Sequence, residues 1–198
     1  MQNEFFREER KGFAPPEKKS SGFWETIKFA IIALAIVVPV RAFVAQPFIV
    51  SGSSMVPTFQ NSQYLIVDQI SYRLNEPKRG DVIVFRYPND TSKFYIKRII
   101  GLPGEKVTID GPKVTVETVE GEILELDEPY VRNEGRNNMQ ITTNENEYFV
   151  MGDNRASSSD SRYWGNLEKS YIVGKAFVRL LPVDSFGFKP GEFHNYNL

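Results

Sequence analysis

The sequence predicts a mainly β protein, an antiparallel sheet domain at residues 46–198 preceded by one membrane-spanning helix at residues 23–45 and a flexible tail at residues 1–22. Three observations carry this expectation. Short runs rich in Val, Ile, Tyr and Phe recur along the chain, bounded by Gly, Pro, Asn and Asp, which is the pattern of antiparallel strands joined by turns. A single apolar stretch, FWETIKFAIIALAIVVPVRAFVAQPFIV, stands apart from them. With 198 residues and a hydrophobic fraction of 41%, the chain has material for one sizeable core.

The N-terminal tail is polar, mixed in charge and interrupted by Pro15 and Pro16, so it buries too little apolar surface to offset its ordering entropy. The apolar stretch has an uncharged centre from Phe29 to Val40, edged by Lys28 and Arg41. A bilayer span needs about 20 mostly apolar residues; flanking Lys and Arg can snorkel and Trp24 suits the interface, so residues 23–45 suffice. Two alternatives compete: a cleavable signal peptide, given the short centre and the small residues Ala42 and Ala45, and a buried core helix. Orientation follows from charge. Arg7, Arg10, Lys11, Lys18, Lys19 and Lys28 precede the centre, and after Arg41 the next basic residue is Arg73, which places the tail in the cytoplasm and the folded domain outside.

Strands are expected at residues 63–70, 81–87, 93–100, 106–109, 113–119, 147–151 and 171–181, separated by turn signals at 79–81, 102–104 and 110–112. The acidic stretch 117–128 reads as a solvated hairpin. A net charge of −1 with scattered basic residues lacks the footprint of a nucleic-acid binder.

The chemistry is narrowed by what is missing. The chain has no cysteine, which removes disulfides, thiolate metal sites and thiol catalysis, and its one histidine, His194, lies near the C-terminus in a polar segment. A nucleophilic serine without imidazole needs a carboxylate or a neutral lysine as base. The serine-rich turn SGSSMVPT (residues 51–58) offers Ser51, Ser53 and Ser54, although such clusters are often only turns. In KFYIKRII (residues 93–100), alternation puts Tyr95, Lys97 and Ile99 on one face and Phe94, Ile96 and Arg98 on the other. One basic residue must therefore share a face with apolar groups. If it is Lys97, burial depresses its pKa, and moving it from about 10.4 to near 7 or 8 costs about 4 kcal/mol of stability. The competing reading is an edge-strand lysine with its head in water. A third run, MGDNRASSSDSRYWGNL (residues 151–167), is a polar loop whose Asp153 and Asp160 invite a metal reading; the alternation of Asp153 with Arg155 and of Asp160 with Arg162 instead suggests ion pairs.

Taken together, GSSMVPTF, RGDVIVF, YIKRIIGLPGE and MGDNRASSSDSRYWG occur in the order found in type I signal peptidases, and the chain resembles that family of membrane-bound serine endopeptidases from the apolar stretch to about Leu181. The resemblance implies an antiparallel catalytic domain that removes signal peptides from exported precursors. It implies Ser54 as nucleophile, Lys97 as general base and Ser158 as the residue orienting that base. Arg98, Asp153, Asp160 and Arg162 are implied as ion-pairing residues that shape the site. The oxyanion hole is implied to use the Ser54 amide, and Gly52 stands where some members carry a hydroxyl residue. Shallow pockets for small side chains are expected from Phe48, Val50, Met55, Phe59, Tyr95 and Ile96. Cofactor and metal are expected to be absent, and the partners expected are precursor proteins and the lipid bilayer. Two rivals differ in class: a self-cleaving Ser/Lys protease similar to the repressor family, and a membrane-tethered β domain that only binds.

Overall fold

The computed structural model describes residues 22–39, 45–133, 135, 137–193 and 196. The expectations for the tail, for Arg41 and Ala42 and for His194 lie outside these residues. The chain divides into two compact units, Met1–Val38 and Pro39–Leu198.

In the first unit, helix α1 covers Gly22–Pro39, with Glu25 in its first turn where a carboxylate favours the helix dipole. Its apolar side chains, among them Phe29, Ile32, Leu34 and Val37, are exposed. Among the described residues no helix is long and apolar enough to cross a membrane. Helix α1 is described as far as Pro39, residues 40–44 lie outside the described residues, and Ala45, the last residue of the expected helix, belongs to a strand.

The second unit is built from β1 (Ala45–Ile49), β2 (Tyr64–Asp68), the one-turn helix α2 (Ser71–Leu74), β3 (Val82–Tyr87), β4 (Asp90–Gly101), β5 (Lys106–Gly111), β6 (Lys113–Glu117), β7 (Ile123–Glu125), β8 (Asn137–Thr142), β9 (Glu147–Met151), the short helix α3 (Ser161–Trp164), β10 (Leu167–Glu168), β11 (Ile172–Leu181) and β12 (Gly187–Phe188). Among the described residues these strands form an eight-stranded sheet, ordered β1-β2-β11-β3-β4-β9-β10 with β12 beside β11, and a four-stranded sheet ordered β7-β6-β5-β8. All named pairings are antiparallel.

Each expected run became a strand, because each presents apolar side chains to a packed neighbour. In β3 the run from Val82 to Phe85 is buried throughout, as befits a strand covered on both faces. Core side chains fall into three groups, in which each buried Val, Leu, Ile, Phe or Met contributes about 1.5–3 kcal/mol by leaving water. One, under the four-stranded sheet, includes Ile100, Val107, Val116, Phe149 and Met151. Another gathers Val50, Met55, Phe59, Leu65, Val82 and Ala176, and the third Ile83, Phe85, Ile99, Tyr148, Val150 and Leu167.

Strand β1 was not anticipated as a strand. It is the edge of the large sheet, where Pro47, opposite Ile66, is tolerated because an edge strand leaves half its N–H groups unpaired. The acidic stretch is indeed a hairpin, with the Thr118 amide donating to Glu122 O at 2.8 Å, but it is not simply solvated. Leu124 and Leu126 turn inward beneath the four-stranded sheet while Glu122 and Glu125 face out.

Candidate active site

The serine-rich turn spans β1 and β2 and is pinned at its base by two backbone bonds, Val50 N–H to Gln63 O (2.9 Å) and Ser62 N–H to Val50 O (2.8 Å). Met55 and Phe59 drop into the core beneath it, 1% and 0% exposed, so the turn is anchored from below and Ser54 is left half-buried at its rim. This corrects one expectation. Met55 and Phe59 do not line the cleft; they are core residues, as large apolar groups facing inward from a closed turn must be.

Lys97 lies in β4, which is not an edge but sits between β3 and β9, with Ile83 as its β3 partner. The edge-lysine reading therefore fails, and so does the premise that only one of the two basic residues is buried. Lys97 is 3% exposed and Arg98 is 0% exposed, because β4 is covered on both faces. Lys97 Nζ donates to Ser54 Oγ at 2.8 Å and to Ile96 O at 2.9 Å. Burial pushes the Lys97 amine down to about 8, partly opposed by the negative charges of Asp160 and Asp153.

Arg98 points to the opposite side and is the hub of the support. Its Nε and Nη2 donate to Asp153 Oδ1 (2.9 Å) and Oδ2 (2.7 Å), a two-pronged, fully buried pair. Its Nη1 donates to Gly80 O at 2.9 Å and Gly191 O at 2.5 Å, and its guanidinium stacks 3.8 Å from the centre of the Tyr130 ring. Thr58 Oγ1 donates to Asp153 Oδ2 at 2.5 Å, so one carboxylate joins β4 to the turn that carries Ser54.

The loop after β9 closes the site. Asp160 receives the Gly152 amide (3.0 Å) and both Nε and Nη2 of Arg162 (2.8 Å each), as its alternation with Arg162 suggested. The companion expectation is overturned: Asp153 pairs with Arg98, not Arg155. Arg155 instead donates through Nη1 to Glu128 Oε2 at 2.8 Å, with Nη2 on the other oxygen, and through Nε to Gly152 O at 3.1 Å. Its partner lies in the segment after β7, which neighbouring residues could not reveal.

Ser158 is buried in this loop. Among the described residues its Oγ has no hydrogen-bond partner, and the bonds of Lys97 go to Ser54 and Ile96. Gly152 shows how tightly the three segments meet, since a Cβ there would lie 2.3 Å from Ser158 Oγ and 2.4 Å from Ser54 O. Gly152, Thr58, Glu128, Tyr130 and Asn154, whose amide donates to Ser54 O at 3.0 Å, are support residues the sequence reading missed. Gly52 takes a positive φ of 95°, and its own amide is occupied by Asn61 Oδ1 at 2.9 Å.

Beside Ser54 and Lys97 opens a cleft of about 490 Å³. Phe48, Val50, Tyr95 and Ile96 line it, together with Ile49, Leu65, Val84 and Phe94. Phe48 and Phe94 meet edge to face at 5.2 Å across one wall. A half-buried serine, a desolvated amine in hydrogen-bond contact with it and a mostly apolar cleft alongside are suited to acyl transfer on an extended peptide. Among the described residues no group of three or more His, Cys, Asp or Glu side chains is placed to hold a metal ion.

Known proteins of one family resemble this chain over most of its length. Residues 23–181 match the family model described as signal peptidase, peptidase S26. The "Probable signal peptidase I-2" of Synechocystis sp. is 37% identical over 185 residues, covering 90% of this chain and 81% of that one. Signal peptidase I of Leptolyngbya laminosa is 35% identical, covering 88% and 87%, and that of Bacillus caldolyticus is 35% identical, covering 80% and 91%. A crystal structure of a signal peptidase I from Enterococcus faecalis V583 is 30% identical, with a TM-score of 0.43, covering 51% of this chain and 97% of that one. With its serine and lysine in contact and its family model matched over most of its length, the chain belongs to the type I signal peptidases of peptidase family S26.

Proposed function

We propose that this signal peptidase cleaves precursors with Ser54 as nucleophile and Lys97 as general base. The observation that carries the assignment is the 2.8 Å contact between Lys97 Nζ and Ser54 Oγ within a site that makes the amine neutral near pH 8. In the reactive form the Ser54 hydroxyl donates along this line to the amine lone pair. Lys97 takes the proton as Oγ bonds to the scissile carbonyl carbon, and the negative charge on the carbonyl oxygen meets the Ser54 amide. Collapse of this intermediate breaks the C–N bond, with the Lys97 ammonium returning its proton to the leaving amine. A water, deprotonated by Lys97, then attacks the acyl ester, frees the signal peptide as a carboxylate and restores Ser54.

Ser158 is assigned as a positioning residue for Lys97. Its buried hydroxyl, unpartnered among the described residues, lies against Gly152, which Ser54 also approaches, and this supports the role, since such a group is costly unless a partner arrives. Arg98, Asp153, Asp160 and Arg162 hold the site in shape. Phe48, Val50, Tyr95 and Ile96 form the cleft for small side chains before the cut, and β1, the edge of the sheet among the described residues, offers main-chain pairing to an extended substrate.

The apolar, outward-facing side chains of α1 support a role for residues 22–39, with the residues that flank them, as an anchor in the bilayer that holds the catalytic unit on the extracytoplasmic side. Enzyme and precursor then share one membrane, which raises their effective concentration.

The test is cleavage of a signal-peptide-bearing precursor by the detergent-solubilised chain, with Ser54→Ala and Lys97→Met alongside. Cutting after a small residue by wild type, with both variants folded and inert, supports the pair. Retained cutting by either variant removes its residue from the assigned role.

A further inference from the structure

The Ser54 amide serves as oxyanion donor only if its peptide plane is held with the N–H towards the cleft, and among the described residues that N–H has no acceptor. The plane is shared with the carbonyl of Ser53. In a trans peptide the two groups point in opposite directions, and among the described residues the cis bonds are Val56-Pro57 and Leu181-Pro182. Whatever holds Ser53 O therefore aims Ser54 N–H.

Two groups hold it. Val56 N–H donates to Ser53 O at 3.1 Å from within the turn, and Asn154 Nδ2 donates to it at 3.1 Å from the loop after β9. Asn154 is nearly buried, and its backbone amide also takes Ser54 O, so it grips the two successive carbonyls on either side of the nucleophile. Which way its carboxamide faces is itself fixed. Asn133 Nδ2 donates to Asn154 Oδ1 at 3.2 Å, in an isolated bridge between the two residues, which leaves Nδ2 for Ser53.

We propose that Asn154, oriented by Asn133, is a positioning residue that aims the Ser54 amide at the oxyanion; this rests on the reading of Ser54 as nucleophile and oxyanion donor. Accepting a hydrogen bond at the carbonyl also polarises the peptide, so the Ser54 N–H becomes a stronger donor as well as a better placed one. The arrangement fits a chain that has Gly52 in place of a hydroxyl donor, because one amide must then bear more of the developing charge.

The experiment uses the full chain with a signal-peptide substrate, a peptide aldehyde that forms a tetrahedral adduct with the serine, and the corresponding peptide alcohol, which cannot. Asn154→Ala is expected to lower kcat about 100-fold, in the range for loss of an oxyanion donor, with KM changed less than about threefold. The preference for aldehyde over alcohol should fall by a similar factor, a change that general loosening of the fold would not produce. Asn133→Ala, which removes the orienting side-chain bond, is expected to lower kcat about tenfold with the same split, and it decides the matter should Asn154→Ala fail to fold. Unchanged kcat in a folded Asn154→Ala or Asn133→Ala, or equal weakening of both inhibitors, overturns the inference. Failure of the underlying reading looks different: wild type would not distinguish aldehyde from alcohol, or Ser54→Ala would still cut.

Discussion

At Lys97 stability and reactivity pull in opposite directions. Its amine is lowered from 10.5 to about 8 by burial, so below pH 8 the folded chain must keep an ammonium in a site that disfavours it. The unfolded chain binds that proton more tightly throughout the window from about 8 to 10.5, and stability therefore rises with pH across that window as the penalty is relieved. At pH 7 the full penalty applies, about 3 kcal/mol. Lys97→Met, roughly equal in volume, is expected to be inert yet up to about 3 kcal/mol more stable at pH 7, which urea titration at pH 7 and pH 10 would reveal as a gain that shrinks at the higher pH. For the active enzyme, kcat/KM should climb through an inflection near pH 8, the pH at which the free amine appears. Gly152 makes a second prediction at this scale. A methyl group there overlaps both Ser158 Oγ and Ser54 O, so Gly152→Ala should cost more in kcat than in thermal stability, measured by turnover beside a melting curve.

Strand β4 is the element on which the site depends, because its consecutive residues carry the proposed base, Lys97, and the buried cation that pairs with Asp153, Arg98. Replacing Arg98 by Met leaves Asp153 as a buried carboxylate that has lost its two-pronged partner, and a loss of about 3–5 kcal/mol is expected on chemical denaturation, with activity falling alongside. Asp153→Asn should be milder, since an amide still accepts from Thr58 or Arg98. Much of this architecture was legible in the sequence. Strands such as β3 and β9 are short apolar runs cut off by turn residues, and such runs have few other ways to bury themselves. Strand β1 was hidden because it continues the apolar stretch of the helix and contains Pro47. Side-chain alternation could not decide between Lys97 and Arg98, because period-two reasoning assumes a strand with one wet face and β4 has none over this stretch. The exchange of partners between Asp153, Arg155, Arg98 and Glu128 was invisible for another reason. Ion pairs form between residues that tertiary packing brings together, and nearness along the chain is a poor guide to it.

At the scale of the whole molecule, the unit Pro39–Leu198 holds its own core and its own site, and α1 carries exposed apolar side chains. Removing residues 1–39 is therefore expected to leave the melting temperature of the β unit within a few degrees and its turnover of a short soluble peptide nearly unchanged. Cleavage of a precursor embedded in vesicles should fall by about 100-fold or more, as an anchoring role requires. Equal cleavage of both substrates by the shortened chain would remove the membrane from the explanation.

Arg98 donates to the carbonyl of Gly191, so the cation beneath the catalytic strand is completed by a residue close to the end of the chain. Gly191 does not line the cleft, yet a cut or substitution in its segment is expected to be felt at the strand that carries Lys97, because the Arg98 guanidinium loses one of its carbonyl acceptors there.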